Sequence, residues 1–183
     1  MTILCRLLLL AAPLLTGAAT APDARFDPAT GYRIAAYRAI VPGPPPGVAR
    51  IDAAAVARLV DAGRATLIDV VPAEGGVRGA DGVWRLAREE RGIPGAAWFP
   101  EAGRGELDPA IARWFFTGVR SLRARRPRQP LIVFCLADCW MSWNAALRLK
   151  RAGFRDVRWF GEGADGWRDL GRPLKPMTPF RGE

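Results

Sequence analysis

No histidine occurs anywhere in the 183-residue chain. Its absence removes Cys-His proteases, Ser-His-Asp hydrolases and histidine-based metal centres from what this chain does by itself. Cysteine is scarce as well, limited to Cys5, Cys135 and Cys139. Two thiolates and one carboxylate without histidine fall short of a closed four-ligand metal shell, so no metal site is expected. No apolar run reaches the roughly 20 residues that a bilayer-spanning helix needs, because Pro13 interrupts the longest one. No internal repeat is visible. What remains open is cysteine chemistry or no chemistry.

Half of the residues are apolar, enough for one domain with a true core and too few residues for two comfortable ones. The net charge is +9, and of the 27 basic residues only Lys150 and Lys175 are lysines. The arginines are scattered apart from "RARRPR" at Arg123 to Arg128, which reads as the solvated end of a helix. Nucleic acid is therefore not expected as a partner.

At the N-terminus, Arg6 precedes "LLLLAAPLLTGAAT", a charged, apolar and small-residue order that reads as a secretory signal peptide over residues 1–21, cut after Ala19 or Ala21. The expectation is a periplasmic protein with no stable membrane anchor after cleavage. Cys5 leaves with the signal, and the remaining pair meets an oxidising compartment. Residues 22–47 form an arm whose proline cluster favours an extended path. Its Tyr32-Arg33 and Tyr37-Arg38 pairs read as packing across the domain surface, with a grip on a partner as the alternative.

From Val48 the pattern is α/β. Asp52 is a plausible N-cap for "AAAVARLVDAG", and Gly63 stops that helix. "ATLIDVV" is a buried-type strand ending near Asp69. Pro72 to Gly92 reads as a long loop, functional or poorly ordered. "GIPGAAWF" gives a turn and a strand, and Asp108-Pro109 starts a helix. "PLIVFC" is the most strand-like stretch, followed within about a turn of Cys139 by another helix. "DVRWF" is the last strand, before a short helix around Trp167. Alternating strands and helices argue for a parallel sheet covered on both faces, with ligands gathering at the strand C-termini.

Cys135 stands at such an end. A thiolate beside a helix N-terminus has a lowered pKa, so Cys135 is expected to be acidic. Cys135 and Cys139 are four apart; in helical geometry their Cα atoms lie about 6 Å apart, within disulfide range. The pair is either a structural staple or a reactive dithiol. A staple would close a very short loop and stabilise little, which favours the dithiol. Trp140 and Trp143 have two readings, stacking on a flat ligand such as a quinone or packing as lid and core aromatics. Asp138 reads as the cap of the helix from Trp140 onward, with tuning of a cysteine as the alternative. Asp69 ends a strand at the same face of the sheet, Ser142 closes the loop, and Asn144 reads as a hydrogen-bond support.

The order "LIDV", "IPGA", strand-Cys-loop-helix, "AGF" and "VRWFGEGADGWRDLGRPL" resembles the rhodanese-like domain, with Gly163, Trp167, Gly171 and Pro173 at the family's spacing. The resemblance runs from about Val48 to Leu174. It implies a three-layer α/β/α fold with a central, mostly parallel sheet of about five strands over residues 48–175, and a tail at 176–183. A narrower likeness, in "GYRIAAYR" and "DCWMSWNAA", is to exported proteins named for a CXXCW motif and associated with pyrroloquinoline-quinone (PQQ)-dependent catabolism; here three residues separate the cysteines.

The rhodanese resemblance implies a nucleophilic Cys135 carrying a persulfide in a cradle of backbone amides; in the enzyme reading Cys139 is the thiol that resolves it. The narrower likeness implies contact with PQQ or another quinone. It also implies a periplasmic quinoprotein dehydrogenase, or its cytochrome partners, as partner. Rhodanese loops usually carry a basic residue, whereas Leu136 to Trp143 has none and carries Asp138. Thiosulfate is therefore expected to bind poorly. The alternative is a non-catalytic accessory module that keeps the fold as scaffold and offers the aromatic loop as contact surface.

Overall fold

The computed structural model describes residues 23–182; the signal expected over residues 1–21 lies outside them. Strand β1 (Ala49–Arg50) leads into helix α1 (Ala53–Asp61), where the Asp52 carboxylate accepts the Ala55 N–H at 2.7 Å. Gly63 then takes a φ of 62°, the left-handed geometry that glycine enters at least cost. Strand β2 (Thr66–Asp69) follows. Short strands β3 (Val77–Arg78), β4 (Trp84–Arg85) and β5 (Glu90–Gly92) precede β6 (Ala97–Trp98). Helix α2 (Pro109–Arg125) starts at Asp108, which accepts the Ala110 and Ile111 N–H groups. Then come β7 (Leu131–Phe134), α3 (Trp140–Arg151), β8 (Val157–Phe160), α4 (Gly163–Asp169) and β9 (Lys175–Met177).

Five strands form one parallel sheet in the order β1-β8-β7-β2-β6. Helices cover both faces. On one side Leu131 and Val133 pack with Phe115 and Val119 of α2 and with Ala145, Ala146 and Leu149 of α3. On the other, Ile132 and Phe134 pack with Val56 of α1 and with Ala164 and Trp167 of α4. Strand side chains alternate faces, so a strand covered twice must be apolar at every position. All four residues of β7 have no solvent exposure, each burial stabilising by roughly 1.5–3 kcal/mol.

Two segments differ from expectation. The stretch expected as a long loop holds the antiparallel hairpin β3–β4, and its end, β5, pairs antiparallel with β9. Strands of two or three residues carry too few positions for a period to register. Past Met177 the chain is tied in as well: Phe180 donates its N–H to the Trp98 carbonyl at 2.8 Å and packs its ring, tilted by 36°, 4.9 Å from Phe99.

The arm lies across α3. Asn144 accepts the Arg33 N–H at 3.0 Å and donates to the carbonyls of Arg33, at 2.8 Å, and Gly103, at 3.0 Å. The Arg33 guanidinium bonds the Ala36 carbonyl and sits 4.8 Å over the Trp140 ring. Arg148 donates to the carbonyls of Ala102, Arg104 and Gly105 and covers Tyr32 at 4.4 Å. No helix among the described residues is long and apolar enough to cross a membrane.

Asn144→Ala strips three buried hydrogen bonds and leaves the Arg33 and Gly103 backbone groups unpartnered. A loss of about 3 kcal/mol is expected, with proteolytic cutting in the arm before any in the core. A melting temperature and arm protection equal to those of the native chain would show that Asn144 does not hold the arm.

Candidate functional site

Cys135 follows β7 directly and turns back toward α3, with no exposed surface. The chain then passes through Leu136, Ala137 and Asp138 to Cys139. That residue has extended backbone (φ −123°, ψ 111°) and is the N-cap of α3. Asp138, expected as the cap, instead takes a left-handed φ of 48° and faces solvent. The turn is held from two sides. From α4, Ala164 donates to the Cys135 carbonyl at 2.9 Å, and the Asp165 carboxylate accepts the Ala137 N–H at 2.9 Å. A Cβ at Gly163 would lie 2.3 Å from the Cys135 carbonyl oxygen, which accounts for glycine there. From the arm, the Asp138 carbonyl accepts the Ala39 N–H at 3.0 Å and the Tyr37 carbonyl accepts the Trp140 N–H at 2.9 Å.

Both cysteines are free thiols in this structure. Their acidities separate in the direction opposite to expectation. Cys139 is lowered to about 7: the Cys135 thiol hydrogen-bonds to its thiolate, and the Met141 N–H, the Arg38 guanidinium and the Leu136 N–H add to the stabilisation against partial burial. Cys135 is pushed well above an ordinary thiol by full burial, by its bond to Cys139 and by the negative charges of Cys139 and Asp69. Cys139, five residues beyond the end of β7, stands at the head of α3, where the helix N-terminus and Arg38 favour its thiolate, and this is why the acidic thiol is the second one. Asp69, also fully buried, is raised to about 8 by desolvation; the Val71 N–H opposes this, and the charges of Cys139 and Glu90 reinforce it.

A pocket of about 450 Å³ opens over the two thiols. Apolar lining comes from Val71, Pro72, Leu136 and Met141, and cations come from Arg38, Arg88, Arg91 and Arg104, with Glu74 and Glu90 among them. Three of these arginines are paired: Arg88 with Glu90 at 2.7 Å, Arg91 with Glu89 at 3.2 Å and Arg104 with Glu101 at 2.6 Å. Among the described residues the Arg38 guanidinium has no hydrogen-bond or ion-pair partner. The cation missing from the cysteine loop is thus supplied by the arm, and the Asp138 carboxylate does not line the pocket. The short-range repulsion of anions expected from the loop sequence is not what the pocket presents. Neither Arg38 nor Arg104 stands out in the sequence as a site residue. The repeated Tyr-Arg pairs were the available signal, and only the path of the arm shows which pair reaches the thiols.

The remaining expected site residues are structural. Trp140 is 7% exposed, enclosed by Phe26 edge-on at 5.2 Å, Trp143 at 5.3 Å and the Arg33 guanidinium, so it offers no open face to a flat ligand. Trp143 is half-buried beside it. Ser142 donates to the Cys139 carbonyl at 3.1 Å and accepts the Trp159 indole N–H at 3.0 Å. Asn144 is the clamp of the arm. In the glycine-rich end motif, Trp167 donates its indole N–H to the Pro173 carbonyl at 3.1 Å, fixing the chain after α4.

Solved structures share this fold. A thiosulfate sulfurtransferase from Pseudomonas aeruginosa superposes with a TM-score of 0.50 at 23% identity, over 74% of this chain and 22% of that one. A protein from Bacillus halodurans (TM-score 0.45, 20% identity, 69% of this chain and 76% of that one) and a human single-domain sulfurtransferase (0.40, 20%, 67% and 97%) lie further away. The chain therefore spans about a fifth of the Pseudomonas enzyme. The fold is a rhodanese-like three-layer α/β/α domain with a central parallel sheet. No protein-family model matches the chain, and no curated protein matches it.

In the reduced protein, alkylation mapped by mass is expected to mark Cys139 first, with a rate that rises through an inflection near 7. Because Arg38 stabilises the thiolate, Arg38→Gln should move that inflection upward by a fraction of a unit to one unit. First labelling at Cys135 would reverse the assignment.

Proposed function

We propose that this chain is a rhodanese-like sulfur-handling protein in which Cys139 accepts a sulfur atom from an anionic donor and Cys135 resolves the product. The observation that carries the reading is the pair of free, buried thiols between β7 and α3 that line one pocket with arginines, Cys139 acidified and Cys135 kept protonated. A nucleophile must be a thiolate at working pH, and Cys139 is the thiol that meets this condition. The roles expected for the two cysteines exchange for that reason, while the chemistry class stays the same. The accessory-module reading relied on Trp140 as contact surface, and the burial of Trp140 beneath Phe26 and Arg33 favours thiol chemistry over it.

Export and a role beside a PQQ-dependent dehydrogenase belong to the proposal on sequence grounds, from the ordered signal at residues 1–21 and from "GYRIAAYR" and "DCWMSWNAA". Recovery of exported protein starting at Thr20 or Pro22 is expected, and a retained Met1 would count against export. Quenching of tryptophan fluorescence on titration with PQQ would support a quinone contact; an unchanged spectrum would remove it from the proposal.

Trapping tests the thiol reading. With a sulfane-sulfur donor, Cys135→Ser should accumulate a persulfide on Cys139, visible as the mass of one added sulfur. Cys139→Ser should trap at least about tenfold less, because its remaining thiol is buried and weakly acidic. Equal trapping on both variants would refute the order of events, and none on either would refute the chemistry.

A further inference from the structure

Away from the thiols, the β3–β4 hairpin, one side of α2 and the chain past Met177 enclose a cavity of about 640 Å³, and a space of about 400 Å³ adjoins it beside Trp84. Neither shares a residue with the pocket over the cysteines. Arg113, Trp114, Thr117, Gly118 and Ser121 line it at the spacing of one helical face. The tail closes on that face because Gly118 has no side chain: a Cβ there would lie 2.9 Å from the Phe180 ring and 2.6 Å from that of Phe99. Trp114 holds the tail in place by donating its indole N–H to the Phe180 carbonyl at 3.0 Å. On the hairpin side, Gly82 turns with a φ of 79°, and a Cβ there would come 3.0 Å from Nη2 of Arg78. The Arg78 guanidinium therefore lies against the turn, 5.4 Å over the Trp114 ring.

Three separate segments each send a cation to this cavity: Arg78 from the hairpin, Arg113 from α2 and Arg181 from the tail. None of the three has a hydrogen-bond or ion-pair partner among the described residues. Nε of Arg78 is shielded from solvent as well and still finds no acceptor. Among the described residues the only carboxylate lining the cavity is Asp81, and it is engaged, accepting the Val83 N–H at 3.0 Å and pairing with Arg85 at 3.4 Å. Arginines that serve the fold look different: Arg33, Arg123 and Arg148 give their N–H groups to carbonyls. Like charges gathered without acceptors repel one another and leave donors unsatisfied, and an anion among them offsets both costs.

The lining also indicates which anion. Phosphate is commonly cradled by backbone amides at a turn or a helix N-terminus. Here the amides of Gly79 and Gly82 bond carbonyls of the hairpin, that of Val83 bonds Asp81, and those of Ala110 and Ile111 bond Asp108. Recognition falls to the guanidinium groups, whose planar forks pair with carboxylates through two parallel bonds. The hydroxyls of Thr117 and Ser121 add donors, and Trp114 and Phe180 offer apolar surface to a carbon skeleton. We propose that this cavity binds a small organic polycarboxylate, its carboxylates held by Arg78, Arg113 and Arg181 and its carbon skeleton set against Trp114 and Phe180. The site is independent of the thiol chemistry, since the two pockets have no residue in common.

The test is calorimetric titration of the full chain, at about 0.15 M salt so that diffuse attraction is screened, with benzene-1,3,5-tricarboxylate and with inorganic pyrophosphate, a multiply charged anion that has no carbon skeleton. One-to-one binding of the tricarboxylate is expected, with pyrophosphate at least about tenfold weaker. Arg113→Gln and Arg181→Gln alter exposed side chains, so the fold is kept, and each should weaken tricarboxylate binding by about 10- to 100-fold, the worth of a charge-assisted hydrogen bond. Arg64→Gln removes the same charge outside the cavity and should leave binding unchanged. No tricarboxylate binding, by heat and by melting temperature alike, overturns the proposal. Pyrophosphate bound as tightly as the tricarboxylate overturns the ligand class. Equal weakening by Arg64→Gln assigns the binding to net charge, and an affinity untouched by Arg113→Gln and Arg181→Gln places it elsewhere; either result overturns the site. Loss of sulfur trapping at the cysteines would refute the thiol reading and leave this result as it stands.

Discussion

The structure turns on the double burial of β7. A parallel strand covered by α2 and α3 on one face and by α1 and α4 on the other delivers its next residue into a space that water does not reach. Burial favours neutral groups, so Cys135 is held as a thiol and Asp69, at the end of the neighbouring strand, as an acid. Charge is accommodated only where the fold supplies donors, at Cys139, where the first turn of α3 and Arg38 converge. Desolvation and local donors thus order three acids at the ends of two neighbouring strands and the head of α3.

Helix α3 links that turn to the rest of the chain. Its first turn presents Cys139 and Met141 to the pocket, and its later turns carry Asn144 and Arg148, which grip the arm and the segment around Gly103 to Gly105. The same docking brings Tyr37 and Arg38 against the cysteine loop. Arg33 is 3% exposed without a carboxylate beside it; the Ala36 carbonyl and two aromatic faces take that role. A guanidinium tolerates this better than an ammonium, being planar and less strongly hydrated. The predominance of arginine has a structural use here, since many of these side chains bond carbonyls and cover rings.

Much of the fold was legible because its signals are local. Asp52 and Asp108 cap helices with their own side chains, Gly63 needs its own φ, and the apolar run of β7 states its own burial. The hairpin β3–β4 and the β5–β9 pair were not legible, since such short strands are defined by partners rather than by a period. Cys139 and not Asp138 caps α3, because cap preference ranks residue types whereas the cap position is set by where the turn from β7 ends.

The sequence by itself determined the order of the helices and of the strands of the central sheet, the position of a cysteine at the end of the central strand with a second one four residues on, and the exclusion of histidine chemistry. Each of these is a property of residue types and neighbours along the chain. Only the tertiary structure decided which cysteine is acidic, that a cation faces it, and that Asp69 is dry. Those depend on electrostatics and desolvation, which act across space between groups as far apart in sequence as Arg38, Asp69 and Cys139. Their strength is set by the distance and burial that packing alone creates.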